Sequence, residues 1–220
     1  MGNTKIISVQ NITFSYRSQK ILDEFSAEFE KGSFTCILGE SGSGKSTLLR
    51  IINGLILPQK GTVQIENEIL SQQNLIQKRL EMGYVLQGNP LFPHLTVFQN
   101  MAYCLKLLRK SDTFCQEKIL ELLPLVGLKK DLLQKFPDEI SGGQKQRVGI
   151  IRAIAHAPKI VLMDEPFSAL DSETRDKLQL LVKDIHRKLQ TTFVMVTHSQ
   201  TEAEILSTRI LKMEDQKICS

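Results

Sequence analysis

The chain has 220 residues, of which 41% are apolar and 24% charged, a composition typical of a globular domain with a substantial core. Its formal net charge of +4 is small and scattered, so we expect no nucleic-acid partner. The N-terminus lacks a signal-peptide pattern, and no apolar run approaches the roughly 20 residues that span a bilayer. If the chain serves a membrane, we expect it to do so through other chains.

The pattern of apolar residues predicts short strands that alternate with helices. Seven runs rich in β-branched and aromatic residues predict strands. They span residues 6–16, 34–38, 61–66, 82–86, 159–163, 192–196 and 209–213. Because a glycine-rich turn and a helical pattern follow the second run, an α/β unit is predicted to begin there.

Helical periodicity predicts most of the remaining elements. The predicted helices lie at residues 45–57, 96–108 and 111–123, from about 143, around 178–189, and from 201. Thr96 is the expected N-cap of the second helix, and Pro124 is expected to end or kink the third. The apolar face of the long helix is predicted to consist of Leu178, Leu181, Ile185 and Leu189. Residues 88–157 are thus predicted to be a mostly helical insertion in an α/β core.

A glycine-rich loop after the second predicted strand matches the pattern G-x-x-x-x-G-K-[ST]. It consists of Gly39, Glu40, Ser41, Gly42, Ser43, Gly44, Lys45 and Ser46, with Thr47 next in the chain. Glycines let backbone N–H groups turn around an anion, and the following helix N-terminus adds a favourable dipole. We expect Lys45 to reach the β- and γ-phosphates of ATP and the Ser46 hydroxyl to bind Mg²⁺. An exposed Gly/Ser-rich turn is the alternative, and the flanking strand and helix argue against it.

Two acidic residues follow the apolar run at 159–163. A buried parallel strand delivers its last side chains to the ligand crevice at its carboxyl end. Asp164 is placed to hold Mg²⁺ through water, and Glu165 to orient and polarise an attacking water. A solvated acidic turn before Pro166 is the alternative, but the phosphate-binding pattern in the same chain favours the metal site.

A second glycine pair follows a serine much later in the chain. The stretch is Ser141, Gly142, Gly143 and Gln144, and it leads into a helical run. It therefore predicts a second anion-binding helix N-terminus. One simple active site has no use for a second phosphate-facing loop far away in sequence. Such a loop is useful if it closes over a nucleotide held by another copy of the chain.

With these motifs the sequence resembles the ABC transporter ATPase family, whose signature is L-S-G-G-Q; Ile140 here replaces the leucine. The resemblance covers essentially the whole chain, with the motifs in the family's order. It implies that Tyr16 stacks on adenine, that Gln87 senses Mg²⁺ and couples to membrane subunits, and that His198 contacts the γ-phosphate. It also implies that Asp171 lies in a loop that crosses the interface between two copies.

The resemblance implies a P-loop NTPase core with an N-terminal antiparallel β subdomain and an inserted α-helical subdomain, all in one nucleotide-binding domain over residues 1–220. It implies an ATPase that uses ATP and Mg²⁺, closes as a head-to-tail homodimer and works with transmembrane permease subunits. The run at residues 91–97 resembles that of bacterial importer ATPases, so we expect a solute importer with an extracytoplasmic substrate-binding protein as a further partner. The expected location is cytoplasmic, on the inner face of the plasma membrane.

A cassette that does not transport is the alternative function. Such a chain would use ATP-driven dimerisation to signal mechanically to a membrane partner, or to act on nucleic acid. The long coiled-coil insertions of DNA-repair cassettes and the paired ATPase domains of translation cassettes are not found in these 220 residues. Co-purification with a permease and a substrate-binding protein distinguishes transport from signalling. Amino acids, quaternary amines, thiamine-like cofactors and oxyanions are all compatible cargo.

Overall fold

The computed structural model describes residues 5–88, 90–168, 170–214 and 217–219, which form two β-sheets and seven α-helices. The strands are β1 (Lys5–Tyr16), β2 (Gln19–Glu30), β3 (Phe34–Leu38), β4 (Lys60–Ile65), β5 (Glu68–Ile69), β6 (Met82–Val85), β7 (Ile160–Asp164), β8 (Thr192–Thr197), β9 (Arg209–Glu214) and β10 (Lys217–Cys219). The helices are α1 (Lys45–Ile52), α2 (Leu75–Leu80), α3 (Val97–Leu107), α4 (Asp112–Leu122), α5 (Gly142–Ile154), α6 (Ser172–Leu189) and α7 (Gln200–Leu206). None of these described helices is long and apolar enough to cross a membrane.

The larger sheet carries the α/β core. Its strand order is β10-β9-β3-β8-β7-β6; the strands from β9 to β6 run parallel, and β10 pairs antiparallel with β9 at the edge. The smaller sheet has the order β2-β1-β4-β5 and is antiparallel. Between β6 and β7 the described residues form α3, α4, three short 3-10 turns and α5. The expected α/β fold with an N-terminal antiparallel sheet is confirmed.

Side chains of the parallel strands alternate between two apolar cores, one on each face of the larger sheet. Phe34 and Cys36 of β3 pack in the core that includes α3, α4, α5 and α6. Ile37, between Leu38 and Cys36 in the same strand, packs in the core that includes α1 and the antiparallel sheet. Because successive side chains of a strand point to opposite faces, a strand buried on both sides is apolar throughout. Each fully buried large apolar side chain contributes about 1.5–3 kcal/mol.

All seven predicted strands form, each within one residue of its predicted bounds. The sequence pattern did not indicate β2, although this strand has 12 residues. Glu24 has a left-handed backbone (φ +48°), and the pairing of β2 with β1 shifts register on either side of Ile12. Such bulges interrupt the period of two by which a strand is recognised in a sequence. β5 and α2 were also not predicted, because two and six residues are too few for a periodic pattern.

The helices agree less closely with prediction at their ends. α1 was predicted too long: it ends at Ile52 rather than at residue 57, because Gly54 takes a left-handed backbone (φ +69°) that stops it. Thr96 caps α3, and Pro124 follows the end of α4, as predicted. The predicted apolar face of the long helix is wrong at Leu189, which ends α6 and is 38% exposed. The buried side chains of α6 are Leu178, Gln179, Val182 and Ile185.

Gly83 sets the close approach of β6 to α5, since a Cβ at this position would lie 2.1 Å from the carbonyl oxygen of Ala153. Gly83→Ala must push the helix away from the sheet, so we expect it to lower the free energy of unfolding by about 1–3 kcal/mol in chemical denaturation. Gly142→Ala is the control, because a Cβ there meets nothing within 4 Å. It should change stability by no more than about 0.5 kcal/mol. Equal losses in the two variants would contradict the close-contact explanation.

Candidate functional site

The predicted phosphate-binding loop lies between β3 and α1 and is called here the phosphate loop (residues 39–46). Gly42 (φ +84°) and Gly44 (φ +99°) supply the left-handed backbone that lets the loop curl over the N-terminus of α1. Gly39 lies against β9, where a Cβ would be 2.5 Å from the carbonyl oxygen of Met213. A cavity of about 710 Å³ opens over this loop. Its lining residues are Leu38, Gly39, Glu40, Ser41, Gly42, Ser43, His198, Gln200, Lys212, Met213 and Glu214.

Lys45 is buried at the base of the phosphate loop. Its Nζ donates hydrogen bonds to the carbonyl oxygens of Gly39 (2.9 Å) and Glu40 (2.5 Å) and to the hydroxyl of Ser43 (3.3 Å). Burial lowers the pKa of the ammonium, and the nearby carboxylates of the two acids after β7 partly offset the shift. The loop therefore encloses a cation that is only weakly solvated, which suits the binding of phosphate oxygens.

Ser46 and Asp164 bring the start of α1 to the end of β7. The Ser46 hydroxyl donates to Oδ1 of Asp164 at 2.7 Å, and Asp164 is buried. A hydroxyl and a carboxylate are the hard oxygen ligands that Mg²⁺ prefers, so this pair fits the predicted metal. Thr47, the next residue of α1, is also buried.

Glu165 lies between two other predicted site residues, Gln87 and His198. One carboxylate oxygen, Oε2, accepts a hydrogen bond from Nε2 of Gln87 at 3.3 Å and lies 3.4 Å from Nδ1 of His198. The backbone of Glu165 is left-handed (φ +41°), and its N–H donates to the carbonyl oxygen of Val196 at 3.1 Å. A non-glycine residue in this conformation is strained, and such strain is concentrated at functional sites. Residues from the ends of β6, β7 and β8 thus meet at one carboxylate.

Tyr16 ends β1 beside the phosphate loop. Its ring is 44% exposed and packs edge-on against Phe14, with ring centroids 4.9 Å apart. The hairpin that carries it touches the loop, because a Cβ on Gly44 would lie 3.0 Å from the carbonyl oxygen of Ile21. An exposed aromatic ring beside this loop has a free face on which a base can stack.

The second predicted anion site, the lid loop (residues 141–144), begins α5. The Ser141 hydroxyl accepts from the N–H of Gln144 at 3.3 Å, and Oε1 of Gln144 accepts from the N–H of Ser141 at 2.9 Å. Beside Ser141, Gly143 and Gln144 is a cavity of about 590 Å³ with a basic rim. The basic residues are Lys129, Lys135, Arg147 and Lys177. Among the described residues this cavity and the one over the phosphate loop share no lining residue.

Asp171 has a clear structural role as the N-cap of α6. Its Oδ1 accepts from the N–H of Thr174 at 3.0 Å, and this hydrogen bond lowers the pKa of the Asp171 carboxyl. Ser168 Oγ donates to the carbonyl oxygen of Glu165 at 3.0 Å. This hydrogen bond ties the segment that leads into α6 to the backbone of Glu165. Ala169 lies outside the described residues. The side chain of Asp171 is exposed and available to a neighbouring molecule.

An apolar groove of about 570 Å³ lies next to Gln87, between α2 and α3. Leu86, Leu91, Phe92 and Leu107 are among the residues that line it. The buried side chain of Asn100 shapes the turn before α3, because its Oδ1 accepts from the N–H of Phe92 at 2.8 Å and its Nδ2 donates to the carbonyl oxygen of Leu95 at 3.0 Å. Hydrogen bonds from a buried side chain therefore fix the turn that contributes Phe92 to the groove.

Two groups of residues near these sites were not found from the sequence. Lys212 lines the cavity over the phosphate loop because β9 pairs with β3, a neighbour relation that no local pattern indicates. The basic residues beside the lid loop come from three separate segments and look like ordinary surface side chains in the sequence. Only the contacts of the fold bring either group to its site.

Known proteins are similar to this chain over nearly its whole length. The ABC transporter family profile matches residues 22–168. The ergothioneine transport ATP-binding protein EgtV of Helicobacter pylori (strain G27) is 47% identical over 213 residues, covering 97% of this chain and 99% of EgtV. The glycine betaine/carnitine/choline transport ATP-binding protein OpuCA of Bacillus subtilis (strain 168) is 39% identical over 214 residues, and the match covers 97% of this chain but 56% of OpuCA.

Solved structures show the same likeness in three dimensions. The dimeric structure of MJ0796, a bacterial ABC transporter cassette, superimposes with a TM-score of 0.88 and 34% identity, covering 98% of this chain and 97% of that chain. A dimeric post-hydrolysis structure of MJ0796 bound to ADP and Pi gives a TM-score of 0.86 at 32% identity, with the same coverage. The arrangement of the two sheets and the helices between them is therefore that of a known cassette.

Lys45→Ala should weaken ATP binding about 10- to 100-fold, because it removes the buried cation that the phosphate loop encloses. Titration with a fluorescent ATP analogue measures the dissociation constant. Lys31→Ala is the matched control, since Lys31 is exposed on the turn before β3, at the end of the strand away from the phosphate loop. An unchanged dissociation constant in Lys45→Ala would mean that this loop is not the nucleotide site.

Proposed function

The chain belongs to the ABC transporter family, and we propose that it powers the import of a solute through separate transmembrane permease subunits. As a member of that family it is an ATP-binding transport subunit that hydrolyses ATP. The observation that carries the proposal is the convergence of Lys45, Asp164 and Glu165 at one edge of the parallel sheet. Both relatives above are named as transport proteins, which favours transport over the signalling alternative.

In this proposal the phosphate loop binds the nucleotide. Backbone N–H groups of residues 39–44 and the N-terminus of α1 face the phosphates, and Lys45 donates to the β- and γ-phosphate oxygens. Tyr16 stacks on the adenine with the exposed face of its ring. The observation in support is the loop geometry, which already surrounds a buried ammonium on one side and opens into a cavity on the other.

Ser46, Asp164 and Gln87 would hold Mg²⁺, with Asp164 acting through water. The ion would neutralise charge on the phosphate oxygens when bound. The hydroxyl of Ser46 and the carboxylate of Asp164 are already within hydrogen-bonding distance of one another, so little rearrangement is needed to place both near one cation. Gln87 contributes a neutral side-chain amide from the end of β6.

Glu165 is the proposed general base. Its carboxylate takes a proton from the attacking water, whose oxygen forms the new bond to the γ-phosphorus while the bond to the β-γ bridging oxygen breaks and ADP leaves. His198 and Lys45 donate to the oxygens of the transferring phosphoryl group and stabilise their charge. The contacts of Glu165 with Gln87 and His198 support this assignment, because they aim the three side chains at one point.

Two copies are proposed to close head to tail, with the lid loop of one over the nucleotide of the other. Ser141, Gly142, Gly143 and Gln144 would then face the γ-phosphate, and Asp171 would lie at the interface. The separation of the two cavities within one chain supports this model. Among the described residues, the basic ones beside the lid loop do not line the cavity over the phosphate loop of the same chain, so they would act on a nucleotide held by another copy. The dimeric structures of MJ0796 supply a precedent.

We further propose one nucleotide-binding domain over residues 1–220, with residues 88–157 as a helical subdomain that transmits closure to the permease. The apolar groove beside Gln87 is the proposed docking site for a cytoplasmic helix of the permease. In this proposal the chain works on the cytoplasmic face of the plasma membrane, and an extracytoplasmic substrate-binding protein is a further component. The names of the two relatives give different cargoes. This fits a cassette that contacts the nucleotide and the permease rather than the transported solute.

Glu165→Gln should keep ATP binding but lower turnover by at least about 100-fold, because an amide cannot accept the proton of water. With ATP and Mg²⁺ the variant should accumulate as a dimer in sedimentation, since reopening requires hydrolysis. Glu117→Gln, an exposed site on α4, is the control and should hydrolyse ATP normally. Wild-type turnover in Glu165→Gln would refute the general-base assignment.

A mixing experiment tests whether two chains share each active site. Ser141→Arg spoils the lid that a chain offers its partner but keeps its own phosphate loop, and Lys45→Ala does the reverse. Each homodimer should be nearly inactive, because both of its sites are damaged. A heterodimer holds one site with both lesions and one with neither, so activity should return to about half the wild-type rate per heterodimer if the sites are independent.

Equal mixing makes about half of the dimers heterodimers, so the expected bulk rate is about a quarter of the wild-type rate. Cooperativity between sites would lower this value, and dimer formation with ATP should therefore be followed in the same samples. Full activity of the Ser141→Arg homodimer would eliminate the shared-site model, whatever the mixture does.

A further inference from the structure

The imidazole of His198 is 57% exposed and is carried by the short connection between β8 and α7. An exposed side chain on a short connection keeps one orientation only if the backbone beneath it is held. Its neighbours in the chain, Thr197 and Ser199, belong to a hydrogen-bond network with Glu202, called here the Thr197 network. The proposed reaction does not use these three residues directly.

Two of the three residues of the Thr197 network are buried, and hydrogen bonds link all three. The Thr197 hydroxyl donates to Oε2 of Glu202 at 2.5 Å and accepts from the N–H of Ser199 at 3.0 Å. The hydroxyl of Ser199 accepts from the N–H of Glu202 at 3.3 Å. Thr197 is 1% exposed and Glu202 is 7% exposed. Thr197 and Glu202 therefore have little access to water, and the half-buried Ser199 completes the set of contacts on either side of His198.

A carboxylate gives this network a fixed direction. A threonine hydroxyl can rotate, and here it points its proton at Oε2 of Glu202. Its lone pairs are then available to the N–H of Ser199, which is the residue directly after the histidine. The carboxylate thereby fixes the peptide on one side of His198 through a single intervening hydroxyl.

The same strand end holds the rest of the site. The carbonyl oxygen of Thr197 accepts from the N–H of Gly39 at 3.4 Å, and the carbonyl oxygen of Val196 accepts from the N–H of Glu165 at 3.1 Å. The last two residues of β8 therefore connect the phosphate loop, the proposed base and the network. A change in the network at Thr197 acts on the geometry between His198 and these groups.

We propose that Glu202 is a positioning residue for His198: through the Thr197 hydroxyl it holds the N–H of Ser199 and so sets the direction in which the imidazole points. The inference rests on the proposed contact of His198 with the γ-phosphate. The competing explanation is that the network only stabilises the start of α7. The two explanations make different predictions. Only the positioning role requires that loss of the network lower turnover through His198.

Thr197→Val removes the hydroxyl and nearly keeps the side-chain shape. We expect kcat for ATP hydrolysis to fall about tenfold, with KM for ATP within about twofold of wild type, because the phosphate loop and Tyr16 are unchanged. Thr197→Ser keeps the hydroxyl and should stay within about twofold of the wild-type kcat. Glu202→Gln keeps the size of the side chain but lets either end of an amide face the hydroxyl, so kcat should fall about threefold.

Thr208→Val is the matched control, because it removes hydroxyl contacts with the backbone of Phe34 at the opposite end of β3. It should leave kcat unchanged, with thermal unfolding of all variants measured in parallel. An equal fall of kcat in Thr208→Val and Thr197→Val, or wild-type kcat in Thr197→Val, would overturn the proposal.

A double-mutant cycle with His198→Ala separates positioning from stability. If the network acts through the imidazole, Thr197→Val should cause no further loss of kcat in the His198→Ala background. A full tenfold further loss would overturn the positioning role while leaving the proposed function intact. Wild-type turnover in His198→Ala itself would instead remove the histidine from the proposed reaction, and this inference with it.

Discussion

The hydrogen bond between the Ser46 hydroxyl and the Asp164 carboxylate joins residues 118 positions apart, and the site depends on it. It can form because β3 and β7 run parallel in the same sheet, separated by β8, and end at the same edge. The phosphate loop follows β3, Gln87 follows β6, the acids end β7, and His198 follows β8. Parallel topology thus collects the chemistry at the carboxyl ends of the strands.

A second constraint is the left-handed backbone of Glu165, which costs on the order of 1–3 kcal/mol. The bond from its N–H to Val196 of β8 helps to hold this conformation. The result is a carboxylate that turns away from the strand direction of β7 and meets Gln87 and His198. The strand end of β8 is therefore hydrogen-bonded to the backbone of Glu165, and it carries the Thr197 network beside His198.

The two helix N-termini that the sequence predicts to bind anions differ in what surrounds them. That of α1 is wrapped by the phosphate loop and backed by the buried ammonium of Lys45. That of α5 is occupied by its own capping pair, Ser141 and Gln144, and opens beside a basic rim. Only the first has the enclosure needed to hold a nucleotide within one chain. The second has basic residues beside it but no enclosing loop, and in the proposed dimer a second copy encloses it.

Local spacing in the sequence was enough to determine the seven predicted strands, the phosphate loop and the acids after β7, because each depends on neighbours within a few residues. The roles of the site residues, those of Tyr16 and Asp171 included, and the limits of the helical subdomain stay predictions. Tertiary structure alone decided the rest. The bulge at Glu24 hides β2, Lys212 reaches the phosphate loop through strand order, and Glu202 meets Thr197 across the start of a helix. Such features depend on which elements pack together, and a pattern along the chain does not record that.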